Sequence, residues 1–173
     1  MAKTPRPAQD EYASFYQGYV ARVPDVDLVQ YLTAQQGAFV QLLSAIPPAR
    51  EAFRYAEGKW TIKQLVQHVI DSERVFAYRV LAFARGEQQP LPGFEENDYA
   101  AAATAAHRQL EDLILEFGAV RSATIQLLRS LEDADYDKRG TASGAGVTVR
   151  ALAFIIAGHC AHHMAILRER YGA

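Results

Sequence analysis

The spacing of apolar residues along the chain predicts helices and gives no sign of strands. Apolar side chains recur at intervals of three and four residues in several long segments, as expected for helices that bury one face. No segment of useful length alternates apolar and polar residues as a half-buried strand would. The predicted helices cover residues 27–46, 61–85, 104–131 and 148–170. The sequence therefore predicts an all-α domain.

Local signals mark several ends of these helices. Asp27 is a suitable N-cap for the first helix, and Pro47–Pro48 ends it because proline cannot continue a helix. Thr61–Gln64 has the sequence of a capping box, in which a hydroxyl and a side-chain amide satisfy free backbone amides. Gly86 stands where the second helix needs a left-handed residue to end.

The segments between the predicted helices are long. Residues 47–60, 87–103 and 132–147 exceed the about two to eight residues usual in helical bundles, so at least one of them is expected to cross over or to shape a cleft. The glycine-rich stretch 140–146 is interpreted as a mobile lip. Residues 1–24 are expected to form an N-terminal arm, loose as far as Asp10, before a single domain over residues 25–173.

Composition and charge disfavour some classes of protein. The 173 residues suffice for one domain with a real core. The formal net charge is -2, and basic residues are scattered among acidic ones, which disfavours binding to nucleic acid. Cys160 is the single cysteine, and we find neither a signal peptide nor an apolar run of about 18 residues. We therefore expect a cytoplasmic protein that does not interact with a membrane.

Two histidines of the fourth predicted helix carry the strongest chemical signal. His159 and His163 lie four residues apart, so their directions differ by only about 40° around the axis and both can bind one metal ion. Both fall on the face predicted to be buried, where unsatisfied ring nitrogens are costly. His68 would complete a three-ligand site with positions left open for water or substrate. The competing interpretation of His68 is a core histidine bonded to a carbonyl.

Asp71 is the candidate catalytic residue of this site. It follows His68 by three residues and could accept a hydrogen bond from a ligand ring, act as a base or bind the metal itself. The alternative is an ion pair on the helix surface with Arg74 or Lys63, and this is the favoured interpretation for Glu73.

Two arginines fall on or beside otherwise apolar stripes. Arg79 and Arg121 could each hold a substrate carboxylate, but such side chains commonly lay their stems on a core and keep their charged ends in water. Cys160 is interpreted as a small buried apolar residue. The tyrosines of the arm are expected to pack it against the bundle: Tyr12, Tyr16 and Tyr19.

Several short motifs, taken in their order and spacing, resemble the DinB-like (DinB/YfiT) superfamily of four-helix-bundle metalloenzymes. The likeness spans about residues 25–170 and rests on Trp60–Thr61, His68–Arg74, Leu91–Phe94 with Asp98–Tyr99, and Gly158–His163. The resemblance implies a four-helix bundle of up-down-down-up type, with a zinc or nickel ion held at the base of a cleft by His68, His159 and His163. It also implies a homodimer and a small-molecule substrate.

The resemblance further implies chemistry that uses a low-molecular-weight thiol. Characterised members include transferases and an isomerase that use bacillithiol, mycothiol or glutathione. The present chain has Met164–Ile166 after the second histidine of the fourth helix, where many thiol transferases of the family have arginine, glycine and glutamine. The departure leaves the ligand set intact but weakens any transfer of substrate specificity.

Three functions follow from these observations. The first is a metalloenzyme that activates a thiol or water for transfer or hydrolysis of a small molecule. The second is a metal-containing protein that binds a small molecule, or acts in a stress response, without turnover. The third is a bundle whose metal is only structural or whose site has decayed.

Overall fold

Four long helices form the frame of the molecule in a computed structural model that describes residues 4–173. In chain order the helices are α1 (Gln17–Val20), α2 (Leu28–Ser44), α3 (Ile62–Ala84), α4 (Glu96–Ala102), α5 (Leu110–Arg129), α6 (Asp133–Tyr136) and α7 (Val149–Tyr171). The strands β1 (Arg139–Ala142) and β2 (Ala145–Thr148) form an antiparallel hairpin just before α7. The prediction of an all-α four-helix bundle is confirmed, with this hairpin as a small addition.

The predicted helix caps form as expected. The Asp27 side chain accepts a hydrogen bond from the backbone N–H of Gln30 at 2.8 Å. Thr61 and Gln64 form the reciprocal capping box at the start of α3, with distances of 3.2 Å and 2.9 Å. Gly86 has a positive φ of 88° directly after α3, a conformation that glycine adopts without steric cost. These local interactions fix where the two helices begin and where α3 ends.

The packing of the long helices explains why their connections are long. Helix α5 packs between α2 and α3, and α7 packs against the same two helices from the other side. Helices α2 and α3 therefore lie on one diagonal of the bundle, and α5 and α7 lie on the other. Lys63 at the start of α3 donates to the Arg108 carbonyl just before α5, and Arg74 farther along α3 pairs with Glu116 of α5. These two helices therefore run parallel, as in the expected up-down-down-up order, and the chain between them must return along the bundle. The other two connections each cross a diagonal.

A polar layer divides the core into two hydrophobic clusters. One cluster includes Leu32, Phe76, Leu128 and Phe154, and the other includes Phe39, Val69, Phe117 and Leu167. Along each long helix, a buried polar side chain lies between its contributions to the two clusters. These residues are Gln35 of α2, Glu73 of α3, Arg121 of α5 and His159 of α7.

The segments before α5 and α7 differ in secondary structure from the expectation. The third predicted helix was expected from residue 104, but residues 104–107 form a 3-10 turn and α5 begins only at Leu110. The glycine-rich stretch 140–146, for which no strand was predicted, forms most of the β1–β2 hairpin, and its role as a mobile lip stays a prediction. Gly140 packs directly on the Phe83 ring, where a Cβ atom would overlap the ring. Glycine is therefore required there for close packing.

The N-terminal arm is held against the bundle from its first described residues. The guanidinium of Arg6 donates to the carbonyl of Val20 at 2.8 Å. The segment before Asp10 is therefore attached to the fold, whereas the sequence predicted a loose segment. Glu11 accepts hydrogen bonds from Thr148 at 2.7 Å and from Arg150 at 3.1 Å. The first three residues of the predicted arm lie outside the described part of the chain, and the division into an arm and a domain at residue 24 stays a prediction.

Helix α7 is long and strongly apolar. Its 23 residues are long and apolar enough to cross a membrane by length and composition. Most of them are buried between the other helices, as expected for the central helix of a globular bundle. The apolar character of α7 is thus explained by its place in the core.

Candidate metal centre

Three histidines meet where α3 faces α7. His68 lies on the second turn of α3, and His159 and His163 lie one turn apart in the middle of α7. The two helices run antiparallel, as shown by the hydrogen bond from the Tyr171 hydroxyl to the Trp60 carbonyl at 2.7 Å. All three imidazoles are buried, with 5–6 % of each residue exposed. The structure thus brings together the three residues that the sequence singled out as ligands.

The ring nitrogens of these histidines converge on a common point. His159 Nε2 lies 3.0 Å from His68 Nε2 and 3.1 Å from His163 Nε2. One ring nitrogen carries either a proton or a lone pair, so His159 Nε2 cannot make a good hydrogen bond to both neighbours. Within residues 4–173, His163 Nδ1 is buried without a hydrogen-bond partner, and an ion bound at Nε2 would not change that. A divalent ion would use all three Nε2 lone pairs, so the donor set fits a metal.

Burial keeps the three imidazoles in the neutral form that binds metal. Loss of solvent lowers the pKa of His68 to about 4, with a smaller contribution from His162. Desolvation, followed by the effect of His68, lowers the pKa of His163 to about 2. Desolvation also holds the pKa of His159 well below its ordinary value. Protons therefore compete weakly with a metal ion near neutral pH.

Aromatic rings hold the histidines in place. Trp60 lies against His68 with ring centroids 4.7 Å apart, and Tyr19 meets His159 edge-on at 5.3 Å. Tyr19 comes so close because Gly158 has no side chain, since a Cβ there would overlap the Tyr19 carbonyl oxygen. The sequence pattern pointed to Tyr19 only as a residue that packs the arm, and it did not indicate a role for Trp60 at the site.

Two cavities reach the cluster from different sides. One, of about 240 Å³, is lined by His163, Trp60, Lys59 and Asn97 among others. The other, of about 290 Å³, is lined by His159, Tyr19, Ser72 and Glu96 among others. The first turn of α4 supplies Asn97 to one cavity and Glu96 to the other. The cluster is therefore accessible to small molecules and is not sealed like a structural metal site.

Glu96 is a further residue of this site, and the sequence pattern did not single it out. Its Oε2 lies 4.0 Å from His68 Nε2, and about half of its side chain is exposed. Burial of the remainder and the neighbouring Glu95 raise the pKa of the Glu96 carboxyl. No periodicity of the sequence pointed to Glu96, because its position depends on the fold of the long connection between α3 and α5.

Asp71, the predicted catalytic residue, has its contacts on the outer side of α3. Its Oδ1 accepts a hydrogen bond from Gln67 Nε2 at 2.9 Å and lies 3.6 Å from Arg74. Desolvation raises the pKa of Asp71, although the Gln67 hydrogen bond opposes the shift. The described contacts of Asp71 do not include the three imidazoles, so its role as a base stays a prediction.

The burial and the partners of Glu73 and Arg121 differ from what the sequence predicted. Glu73 was interpreted as part of a surface ion pair, but it is buried and accepts two hydrogen bonds from Arg121 at 2.7 Å and 2.8 Å. Arg121 also donates to Gln35 at 2.8 Å, and Gln35 donates to the Ala157 carbonyl at 2.9 Å. Arg121 is fully buried and already paired, so it is not available to hold a substrate carboxylate, and its charged end is not in water.

Arg79 and Cys160 are buried and have contacts that point to a role in the fold rather than in catalysis. Arg79 is buried and donates to the Pro92 carbonyl and to Ser143 Oγ, both at 2.9 Å. It therefore ties the connection before α4 to the tip of the β hairpin. Cys160 is buried as predicted, and desolvation raises the pKa of its thiol to about 11. Such a thiol is a poor nucleophile at neutral pH.

Comparison with known proteins agrees with this geometry. The sequence profile of the DinB superfamily matches residues 31–167. A protein of Geobacillus kaustophilus that carries the provisional name metal-dependent hydrolase is 28% identical over 123 residues, which cover 68% of this chain and 69% of that protein. A protein of Bacillus mycoides with the same kind of name is 31% identical over 121 residues, covering 67% of this chain and 69% of the relative.

Solved structures share the fold at low sequence identity. YfiT from Bacillus subtilis, described as a probable metal-dependent hydrolase with an unusual four-helix bundle topology, superposes with a TM-score of 0.76 at 17% identity, covering 97% of this chain and 94% of YfiT. A mycothiol-dependent maleylpyruvate isomerase gives 0.67 at 15% identity, covering 80% of this chain and 58% of the isomerase. The profile match over most of the chain shows that this protein belongs to the DinB superfamily.

Proposed function

We propose that this protein is a metal-dependent enzyme that acts on a small molecule at the three-histidine site. His68, His159 and His163 would hold one divalent ion, with zinc or nickel as the expected metal. The observation that carries the proposal is the convergence of three buried, neutral Nε2 atoms beside two open cavities. The provisional names of the curated relatives support the same class of activity.

The bound ion would supply Lewis-acid chemistry, lowering the pKa of a water molecule or of a low-molecular-weight thiol so that it attacks a substrate at neutral pH. The thiol alternative is supported by the mycothiol dependence of the structurally similar isomerase. The only cysteine of the chain is buried and has a raised pKa, so an attacking thiol would come from a second small molecule.

The surrounding residues would position the reactants. Trp60 and Tyr19 fix the orientation of two ligand rings and limit access of water from their sides. Lys59 lines the cavity on the His163 side, where an ammonium group could attract an anionic part of a substrate. Phe15, Tyr16 and Phe94 make the cavity on the His159 side largely aromatic.

Metal content and turnover should be measured on the same preparations. We expect one zinc or nickel ion per chain by elemental analysis of the wild-type protein, and none in His163→Ala. Ester, amide and electrophilic substrates, the last with several cellular thiols, would then be screened with both proteins. Turnover that requires both the metal and His163 would support the enzyme. Wild-type metal content in His163→Ala would contradict the ligand assignment.

A binder or sensor that retains a small molecule without turnover is the alternative. Saturable binding of a small molecule to the metal-loaded protein, with no product for any substrate and thiol, would favour it. A purely structural metal would instead give a large loss of melting temperature with chelator and no effect of small molecules. The two open cavities argue against that third case.

Cytoplasmic location and a homodimer stay predictions. An apolar surface on α3 and α5, with exposed Tyr78 and Leu81 beside the half-buried Val120, is available for contact with another chain. Light scattering of the purified protein would measure the oligomeric state. A monomeric mass at micromolar concentration would contradict the expected dimer.

A further inference from the structure

A carboxylate stands beside the histidine cluster and lines the cavity on the His159 side. Glu96 begins α4, and its Oε2 lies 4.0 Å from His68 Nε2. Ligand atoms on one tetrahedral zinc ion are about 3.4 Å apart, given zinc–nitrogen and zinc–oxygen distances near 2.1 Å. The carboxylate is therefore about half an ångström too far from His68 Nε2 for a fourth ligand. It lies outside the group of three nitrogens that are within 4.8 Å of one another, so the half-exposed side chain must rotate towards His159 and His163 to bind the same ion.

The position of Glu96 is fixed by the fold of the preceding segment. Leu91 pairs with the β hairpin, its N–H donating to Thr141 at 2.9 Å and its carbonyl accepting from Ser143 at 3.1 Å. The buried Arg79 holds the next residue, Pro92, through its carbonyl. The chain between α3 and α4 is thereby anchored only a few residues before Glu96, and the start of α4 is held across the opening to the histidines.

The surroundings of this carboxylate lack a positive charge. Within the described residues, no lysine or arginine lies within ion-pair distance of Glu96, whereas Glu95 is its immediate neighbour. A partly buried carboxylate in such a setting is unfavourable unless a cation is near. A divalent ion held by the three imidazoles would be that cation.

We propose that Glu96 is a fourth protein ligand of the metal and occupies the coordination position that a substrate later takes. This inference rests on the proposed function, because it requires the ion at the histidines. A ligand on a short helix between two cavities can leave the metal when a substrate enters, whereas the three ligands on α3 and α7 are fixed by the bundle core. Glu96 would thus tighten metal binding in the resting protein and give way to substrate.

The test compares Glu96→Gln and Glu96→Ala with Asp98→Asn. Asp98 is an exposed carboxylate on the same helix that lines neither cavity, so the control removes the same charge from α4 without touching the site. Zinc affinity would be measured by competition with a chelator. Coordination would be read from the visible absorption spectrum of the cobalt-substituted proteins, and folding from circular dichroism.

We expect both Glu96 variants to bind zinc at least about tenfold more weakly than wild type, with a changed cobalt spectrum, while Asp98→Asn keeps wild-type values. A cobalt spectrum of Glu96→Ala identical to that of wild type would overturn the assignment of Glu96 as a ligand, whatever the affinity. That result would leave the three-histidine site and the proposed function intact. Failure of wild type itself to bind zinc, nickel or cobalt would instead overturn both proposals.

Discussion

The polar layer of this bundle contains two buried clusters with opposite properties. In the closed cluster, formed by Gln35, Glu73 and Arg121, opposite charges cancel and each group has a protein partner. In the open cluster, formed by His68, His159 and His163, three ring nitrogens converge and the central one, His159 Nε2, cannot bond well to both of its neighbours. Burial of polar side chains therefore does not by itself mark a functional site. The unsatisfied cluster is the one that requires a ligand from outside.

Breaking the closed cluster should have the largest effect on stability. Arg121→Met leaves the Glu73 carboxylate buried without its partner, which is expected to lower the free energy of unfolding by about 3–5 kcal/mol. Urea denaturation would measure this. Arg121→Met combined with Glu73→Leu should cost clearly less than the single change, because no charge is left unpaired. A double variant as unstable as the sum of both single variants would contradict this view.

Filling the open cluster should stabilise the protein. Zinc at about a hundred times its dissociation constant is expected to add about 2.7 kcal/mol to the free energy of unfolding of wild type, because it binds only the folded site. His163→Ala should gain nothing from zinc, and without metal it should be about as stable as wild type. Thermal unfolding with and without zinc would measure both. An equal gain in stability from zinc in wild type and His163→Ala would contradict the assignment of the open cluster as the metal site.

The close approach of α1 to the open cluster provides a smaller test. Gly158→Ala would force the Tyr19 backbone away from α7, which is expected to cost about 2 kcal/mol of stability and to weaken the contact of Tyr19 with His159. Chemical denaturation gives the stability and zinc affinity reports on the site. A matched change, Gly37→Ala on α2, faces open space and should leave both quantities near wild type or raise stability slightly. Equal effects of the two substitutions would argue against a special role for Gly158.

A third polar cluster, formed by Glu11, Thr148 and Arg150, lies where the N-terminal arm meets the bundle. Like the closed cluster, it pairs opposite charges. Burial raises the pKa of Glu11, but hydrogen bonds from the Ala8 backbone, Thr148 and Arg150 outweigh it, so the net shift is downward. The ionised form therefore stabilises the fold above the unfolded pKa near 4.5, and this contribution is lost as the pH falls through the lower folded value. Glu11→Gln should cost about 1 kcal/mol at pH 7 and progressively less below pH 4.5. A difference from wild type that does not change with pH would show that the charge of Glu11 is unimportant.

The sequence was sufficient to predict the bundle and the residues of the open cluster. Helical periodicity fixed the four long helices, and the spacing of His159 and His163 placed both on one buried face. The closed cluster was not predicted, because Glu73 lies beside Arg74 and looks like a member of an ordinary surface ion pair. Its true partner, Arg121, is 48 residues away in sequence. Only the parallel packing of α3 and α5 brings these two side chains together.

Three residues near the metal centre could not be predicted from the sequence, for the same physical reason. Tyr19 and Glu96 lie on short helices and Trp60 in irregular chain before α3, so their positions depend on tertiary contacts and not on periodicity. Their identity alone suggested packing or solvent exposure. The start of α5 and the β hairpin were mispredicted in the same way, since the segments between the long helices carry weak local signals.

X-ray absorption spectroscopy of the zinc-loaded protein tests the central claim most directly. The three-histidine centre predicts one zinc per chain, with imidazole nitrogens at about 2.0–2.1 Å whose number falls in His68→Ala, His159→Ala and His163→Ala alike. A zinc environment without imidazole scattering, or one unchanged in all three variants, would contradict it.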